Sequence, residues 1–235
     1  RHGDKYVTVI IDLTPTRTRT GPSRLLAVVE GRSKQAFKTW LEAQTDSFRN
    51  RVEIVAMDGF TGYKTAAVEE LGNATTVMDP FHVVRLAGEA LTRCRQRVQQ
   101  DTCGHRGRAG DPLYRARRTL LTGVDLLTDK QVARLEALFA DEQHTEVYAT
   151  WSIYQRLVVA YRHPDKQLGR FLLQGVIDSV STGVPRDLVE LVSLGRTLHQ
   201  RAADVLAFFD RPGTSNGPTE AINGRLEHLR GIALG

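Results

Sequence analysis

The chain has two cysteines in 235 residues, Cys94 and Cys103. Neither a disulfide framework nor a four-cysteine zinc site can be built from them, so the expectation is a reducing compartment, the cytoplasm. No apolar run reaches membrane-spanning length and no secretory leader pattern is present, so neither a membrane protein nor an exported one is expected. Internal repeats and low-complexity tracts are missing, which sets aside solenoids and disordered linkers. An initiator Met is missing too, and the expectation is a fragment of a longer protein. Acidic residues are the scarcer charge: the net charge is +5 and the pI about 9.4. That balance favours a polyanionic partner, nucleic acid first. The apolar share, 41%, is ordinary for a globular chain with a packed core.

The first eighty residues alternate strand and helix patterns. Tyr6 to Ile11, Arg24 to Val29, Glu53 to Met57 and Thr75 to Met78 are short, apolar and β-branched, and predict four strands. Residues 14–23 carry Pro15, Gly21 and Pro22 and predict a turn or ragged hairpin. Ser33 predicts an N-cap for a helix with Phe37, Trp40 and Leu41 on one face; a short helix is expected from Tyr63 to Leu71. From Val83 onward the apolar period is helical throughout. Residues 101–113 read as a loop and 210–218 as a turn-rich break, with a last short helix from about Thr219 to Arg230. The division expected is 1–100 as a mixed-sheet core, 101–210 as a helical insertion, and 211–235 returning to the core.

Four blocks carry chemistry. Asp12 ends the first strand. Asp58 ends the third and is followed by Gly59, which leaves room for close approach. Two carboxylates on neighbouring strand ends can share a metal ion, although an Asp after a strand also starts ordinary turns. Asp79-Pro80-Phe81-His82 follows the fourth strand; its His fits a metal ligand, a phosphate contact or a helix cap, a structural His being the most frequent case, and an Asp-x-x-His pair has no specific metal signature without further ligands. In Ser215-Asn216-Gly217-Pro218-Thr219-Glu220-Ala221-Ile222-Asn223, Glu220 and Asn223 are one turn apart, opposite an apolar side made by Ile222, Leu226 and Leu229. A dense basic run, Arg93, Arg95, Arg97, Arg106, Arg108, Arg115, Arg117 and Arg118, fits either a DNA backbone contact or a solvated helix face. Trp40, Trp151 and Tyr154 read as core.

Together these blocks resemble the DDE transposases of bacterial insertion sequences, in the branch called ISL-three, with Pro80 and Ala221 standing where that family usually has Arg and Gly. The resemblance covers nearly the whole chain. It implies an α/β, ribonuclease H-like mixed sheet with a large all-helical insertion before the final catalytic helix, and an N-terminal DNA-binding region that this sequence does not contain. It implies Asp12, Asp58 and Glu220 as catalytic metal ligands, with Asp79, His82, Asn216 and Asn223 as accessory residues. It further implies double-stranded DNA, at element ends and target, as the substrate of a homo-oligomer. Hard oxygen donors select Mg²⁺ or Mn²⁺, and two such ions roughly 3.5–4 Å apart can serve the attacking and leaving oxygens of phosphodiester cleavage. As second ligand, Asp58 is preferred over Asp79, whose place before a helix suits capping. The competing readings are another ribonuclease H-like nuclease and a non-catalytic DNA-binding relative.

Overall fold

The computed structural model describes residues 6–211 with Gly213, Thr214 and Gly217. The chain divides into two compact units.

The first unit runs to Asp79. Its elements are β1 (Val7–Asp12), α1 (Thr14–Arg17), β2 (Arg24–Glu30), α2 (Lys34–Glu42), α3 (Asp46–Arg51), β3 (Ile54–Met57), α4 (Thr61–Glu70) and β4 (Thr75–Met78). All four expected strands form, because β-branched and apolar runs suit a pleated surface with one covered face. Their pairing departs from a single mixed sheet. β1 pairs antiparallel with β2, β3 pairs parallel with β4, and among the described residues no ladder joins the two pairs. The fold is therefore mixed α/β, with two small sheets in place of the one expected. Phe37 and Leu41 from α2, Met57 from β3, and Ala66, Ala67 and Leu71 from α4 and its end make the core, with Ile10 and Val55 packed against it. Ser33 caps α2 as its residue type predicts, its Oγ accepting the Ala36 N–H at 3.0 Å. Two helices lie where the sequence suggested turn or nothing. α1 is a single turn with Pro at its start, where a missing N–H costs nothing. α3 is capped by Thr45, which accepts the Phe48 N–H at 3.2 Å.

The second unit, Pro80–Asp210, contains no strand. It comprises α5 (Pro80–Cys103), α6 (Pro112–Ala116), α7 (Asp129–Phe139), α8 (Thr145–Arg162), α9 (Lys166–Thr182), α10 (Val189–Gln200) and α11 (Ala202–Asp210). The helical period read from residue 83 onward is thus fully expressed. α5 buries Val83, Ala87, Ala90, Leu91, Cys94 and Val98, the stripe expected, and runs on to Cys103. Leu157, Leu173 and Leu198 from α8, α9 and α10 are completely covered. Each contributes about 1.5–3 kcal/mol of burial. Gly195 lets α10 lie against α9: a Cβ there would sit 2.1 Å from the Val180 carbonyl oxygen. Among the described residues no helix is long and apolar enough to cross a membrane.

Candidate active site

Asp12 and Asp58 are built alike. Each stands at a strand end, with one carboxylate oxygen closing a turn on the backbone two residues on and the other held by an arginine. Asp12 Oδ1 accepts the Thr14 N–H at 2.8 Å and Oδ2 accepts from Arg24 at 2.5 Å. Arg24 is the cross-strand partner of Asp12 in the β1–β2 register, so the pair is a product of hairpin alignment. Burial pushes the Asp12 carboxyl up, but the hydrogen bonds from Thr14 and Arg24 outweigh it and hold the group below its ordinary range. Asp58 Oδ1 accepts the Phe60 N–H at 2.9 Å, and Oδ2 accepts from Arg32 at 2.7 Å. The Arg32 guanidinium also lies 5.4 Å from the centre of the Phe60 ring, a cation–π contact. Phe60 in turn stands edge-on to Tyr63 at 4.9 Å. Gly62 is required beneath it, because a Cβ there would lie 2.5 Å from the ring and 3.1 Å from the Lys34 backbone nitrogen.

Asp12 and Asp58 end strands that belong to different pairs among the described residues. Asp58 ends β3, and its partner Arg32 follows β2 directly, beside the beginning of β1, where Gly31 N–H donates to Tyr6 O at 2.9 Å. Tyr63, at the start of α4, places its hydroxyl 2.9 Å from that of Thr8, which itself donates to Gly31 O at 2.6 Å. The carboxyl end of β3 therefore faces the amino end of β1, and the two strands run in opposite senses. Asp12 stands at the other end of β1, four residues beyond Thr8, or roughly 13 Å along the strand at ~3.3 Å per residue. Among the described residues no ladder pairs β1 with β3, so the expected placing of Asp12 and Asp58 on neighbouring paired strands is not seen. The donor type still fits a hard divalent cation at Asp58, whose side chain is 19% exposed. Among the described residues no group of three His, Cys, Asp or Glu side chains is placed to hold a metal. Glu220, Asn216 and Asn223 lie outside the described residues.

Asp79 is buried at the end of β4, where its backbone N–H donates to Met57 O at 3.0 Å, extending the β3–β4 ladder. His82, on the first turn of α5, is half-buried, with its Nε2 accepting from Arg85 at 2.8 Å.

The basic run separates into two groups. Arg93, Arg106, Arg108, Arg115 and Arg118 are exposed. Arg95 is buried beside Gln99, and burial followed by the charge of Arg117 pulls its pKa down. Arg97 bonds Glu190 through Nε at 3.0 Å and Nη2 at 2.9 Å, and Glu146 through Nη2 at 2.6 Å. Arg117 lies 4.1 Å over the Tyr114 ring. Arg95 and Arg97 are thus occupied inside the helical unit and are not available to a DNA backbone, contrary to the reading of the run as one surface. The residues that sequence reasoning passed over are Arg24, Arg32 and Phe60. An Arg one residue beyond the Gly that closes a strand gave no local signal of its distant carboxylate.

One family model, described as Transposase, matches residues 1–235, the whole chain. No curated protein and no solved structure matches it.

Proposed function

The chain belongs to the ISL-three family of DDE transposases, and from that membership we propose that it catalyses DNA transposition by metal-dependent cleavage at element ends followed by strand transfer. The observation that carries the reading is the family match over the full length, together with Asp58 standing part-exposed at a strand end with Gly59 beside it. In this reading Asp58 and Glu220 are metal ligands for Mg²⁺ or Mn²⁺. Asp12 belongs to the hairpin, where its carboxylate fixes the turn into α1 and the Arg24 cross-strand pair.

A divalent ion held at Asp58 would supply an activated water or 3′-hydroxyl and stabilise the leaving oxygen. The chain's own residues do the positioning. The Asp58 turn onto Phe60 fixes the direction of its carboxylate. Arg32, 43% exposed and anchored by the Phe60 ring, keeps a permanent positive charge next to it, where a phosphate would arrive. Exposed Arg93, Arg106, Arg115 and Arg118 supply charge for a double-stranded DNA backbone through counterion release. The substrate is double-stranded DNA at element ends and target, and the working form is a homo-oligomer assembled on DNA in the bacterial cytoplasm.

The test is cleavage of element-end DNA by the complete protein in Mg²⁺. Asp58→Asn and Glu220→Gln should abolish cleavage while DNA binding and the unfolding temperature stay at the parent values. Asp12→Asn should keep cleavage within a few-fold. Asp79→Asn should lower stability more than metal affinity, because its carboxyl is inside the unit. Cleavage by Asp58→Asn at the parent rate would refute the assignment. DNA binding without any metal-dependent cleavage by the parent would leave the non-catalytic relative as the answer.

A further inference from the structure

Arg19 has φ 58°, and among the described residues it is the only residue other than glycine with a positive φ. An L side chain is uncommon there, because its Cβ crowds the following carbonyl oxygen. The end of α1 imposes this conformation. The Arg19 N–H donates to Thr16 O at 3.3 Å and the Thr20 N–H to Pro15 O at 2.8 Å, two nested bonds that close a helix through one left-handed residue. Glycine is the usual residue at that place, since it has no Cβ to crowd. The sequence instead keeps a long charged side chain where the backbone favours none.

The turn that presents it is held by other groups. Thr18 Oγ1 donates to Thr14 O at 2.8 Å, the Thr18 and Thr20 hydroxyls lie 2.8 Å apart, and the Thr14 N–H closes onto Asp12 at 2.8 Å. None of these bonds uses the guanidinium of Arg17 or Arg19. Both residues are exposed, and among the described residues neither forms an ion pair. The acid next to the turn, Asp12, is already held by Arg24. From Leu13 to Ser23 the chain carries these two arginines, no Asp or Glu and no aromatic residue. Two exposed arginines alone would be a solvated surface; the left-handed backbone under one of them sets this turn apart, since strain of this kind gathers at sites that bind.

We propose that Arg17 and Arg19 hold the phosphodiester backbone of duplex DNA, making the β1–β2 turn a contact that positions the duplex and reads no sequence. Planar guanidinium forks match pairs of phosphate oxygens. Stacking on a base needs an aromatic ring, and residues 13–23 have none, which leaves the backbone as the surface these side chains fit. The stapled turn matters, because arginines that are already placed lose less freedom on binding. The inference rests on DNA as the substrate proposed above and not on which carboxylates hold the metal.

Duplex DNA of random sequence, titrated against the complete protein over a salt series, tests it with Arg19→Asn, Arg19→Lys and Arg17→Gln. Asn accepts a positive φ, so the turn survives while the charge goes. Arg19→Asn and Arg17→Gln should each weaken binding and flatten the slope of log affinity against log salt by about 0.9, whatever the sequence. Arg19→Lys should keep the parent slope, and the unfolding midpoint of Arg19→Asn should equal the parent's or exceed it. Parent affinity and slope in Arg19→Asn would overturn the proposal. So would a lowered unfolding midpoint with unchanged binding, which would make Arg19 a structural residue only. Should Arg19→Asn fail to fold, Arg19→Gly, which suits the helix ending best, gives the same reading. If the parent binds duplex without cleaving it, the slope loss upholds this contact while the catalytic reading fails; a parent that binds no duplex refutes both.

Discussion

Arg97 is expected to hold the helical unit together rather than to touch DNA, and replacing it separates the two roles. It comes from α5, and its guanidinium ties α8 through Glu146 and α10 through Glu190. Glu190 is 8% exposed while Arg97 itself is 28% exposed. Arg97→Met keeps the aliphatic stem and removes the charge, which leaves Glu190 desolvated with its main counter-ion gone. Breaking a buried pair from one side costs about 3–5 kcal/mol, and the partial exposure of Arg97 reduces that to about 2–3 kcal/mol. At roughly 2–4 °C per kcal/mol for a chain of this size, the unfolding midpoint should fall by about 5–10 °C. Adding Glu190→Leu to Arg97→Met should restore most of the loss, since the uncompensated charge is then removed.

The pH dependence has a fixed sign. Burial pushes the Glu190 carboxyl up, but the hydrogen bonds and charge of Arg97 outweigh it, so the folded value lies below the ordinary 4.5. A depressed carboxylate contributes stability above its unfolded value and loses it as pH falls through the folded one. The gap between parent and Arg97→Met should therefore be full at pH 7 and close below about 4.5. Urea titrations at several pH values measure it, alongside DNA binding at two salt concentrations. A stability change under about 0.5 kcal/mol combined with a marked loss of DNA affinity would refute the reasoning, since surface substitutions stay within that range.

Two further outcomes follow from the same helical unit. Arg115→Ala and Arg118→Ala, both at exposed positions, should each weaken DNA binding without regard to sequence and flatten the slope of log affinity against log salt by about 0.9; unchanged slopes would place the DNA elsewhere. Gly195→Ala should destabilise by about 1–3 kcal/mol through overpacking, since its Cβ meets the Val180 carbonyl at 2.1 Å, whereas Gly175→Ala, at an exposed position of α9, meets nothing within 4 Å and should stabilise by about 0.5–1 kcal/mol. Equal unfolding midpoints for the two variants would contradict the α9–α10 contact.

What the sequence made legible was local. YVTVII, RLLAVV, EIVAM and TTVM announced their strands, Ser33 its cap, and the apolar period of residues 83–209 its helices, because each signal is written within one element. Pairing between elements was not written there. Hydropathy alone does not tell whether β1 lies beside β3 or only beside β2, and that choice decides whether Asp12 and Asp58 share an ion. Arg95 carried a readable sign: at about 100° per residue it points to nearly the opposite side of α5 from Arg93 and Arg97. Arg97 carried none, because its partners Glu146 and Glu190 are supplied by helices far along the chain.

The two aspartates have the same local chemistry, so their surroundings must decide between them. At the Asp58 end, the first turns of α2 and α4 lie against each other, as the Gly62–Lys34 approach demands. Both helices thus direct the positive ends of their dipoles toward that end of the unit. Arg32 adds a full charge there, fixed by the Phe60 ring. Asp12 has only the four-residue α1 after it, with Arg17 in its last turn and its own Arg24 spent on the hairpin. Both aspartates are ion-paired, Asp12 with Arg24 and Asp58 with Arg32, but only the Asp58 end also carries the starts of two longer helices. In the proposed reading, strand polarity rather than the identity of either carboxylate is what sets Asp58 apart from Asp12.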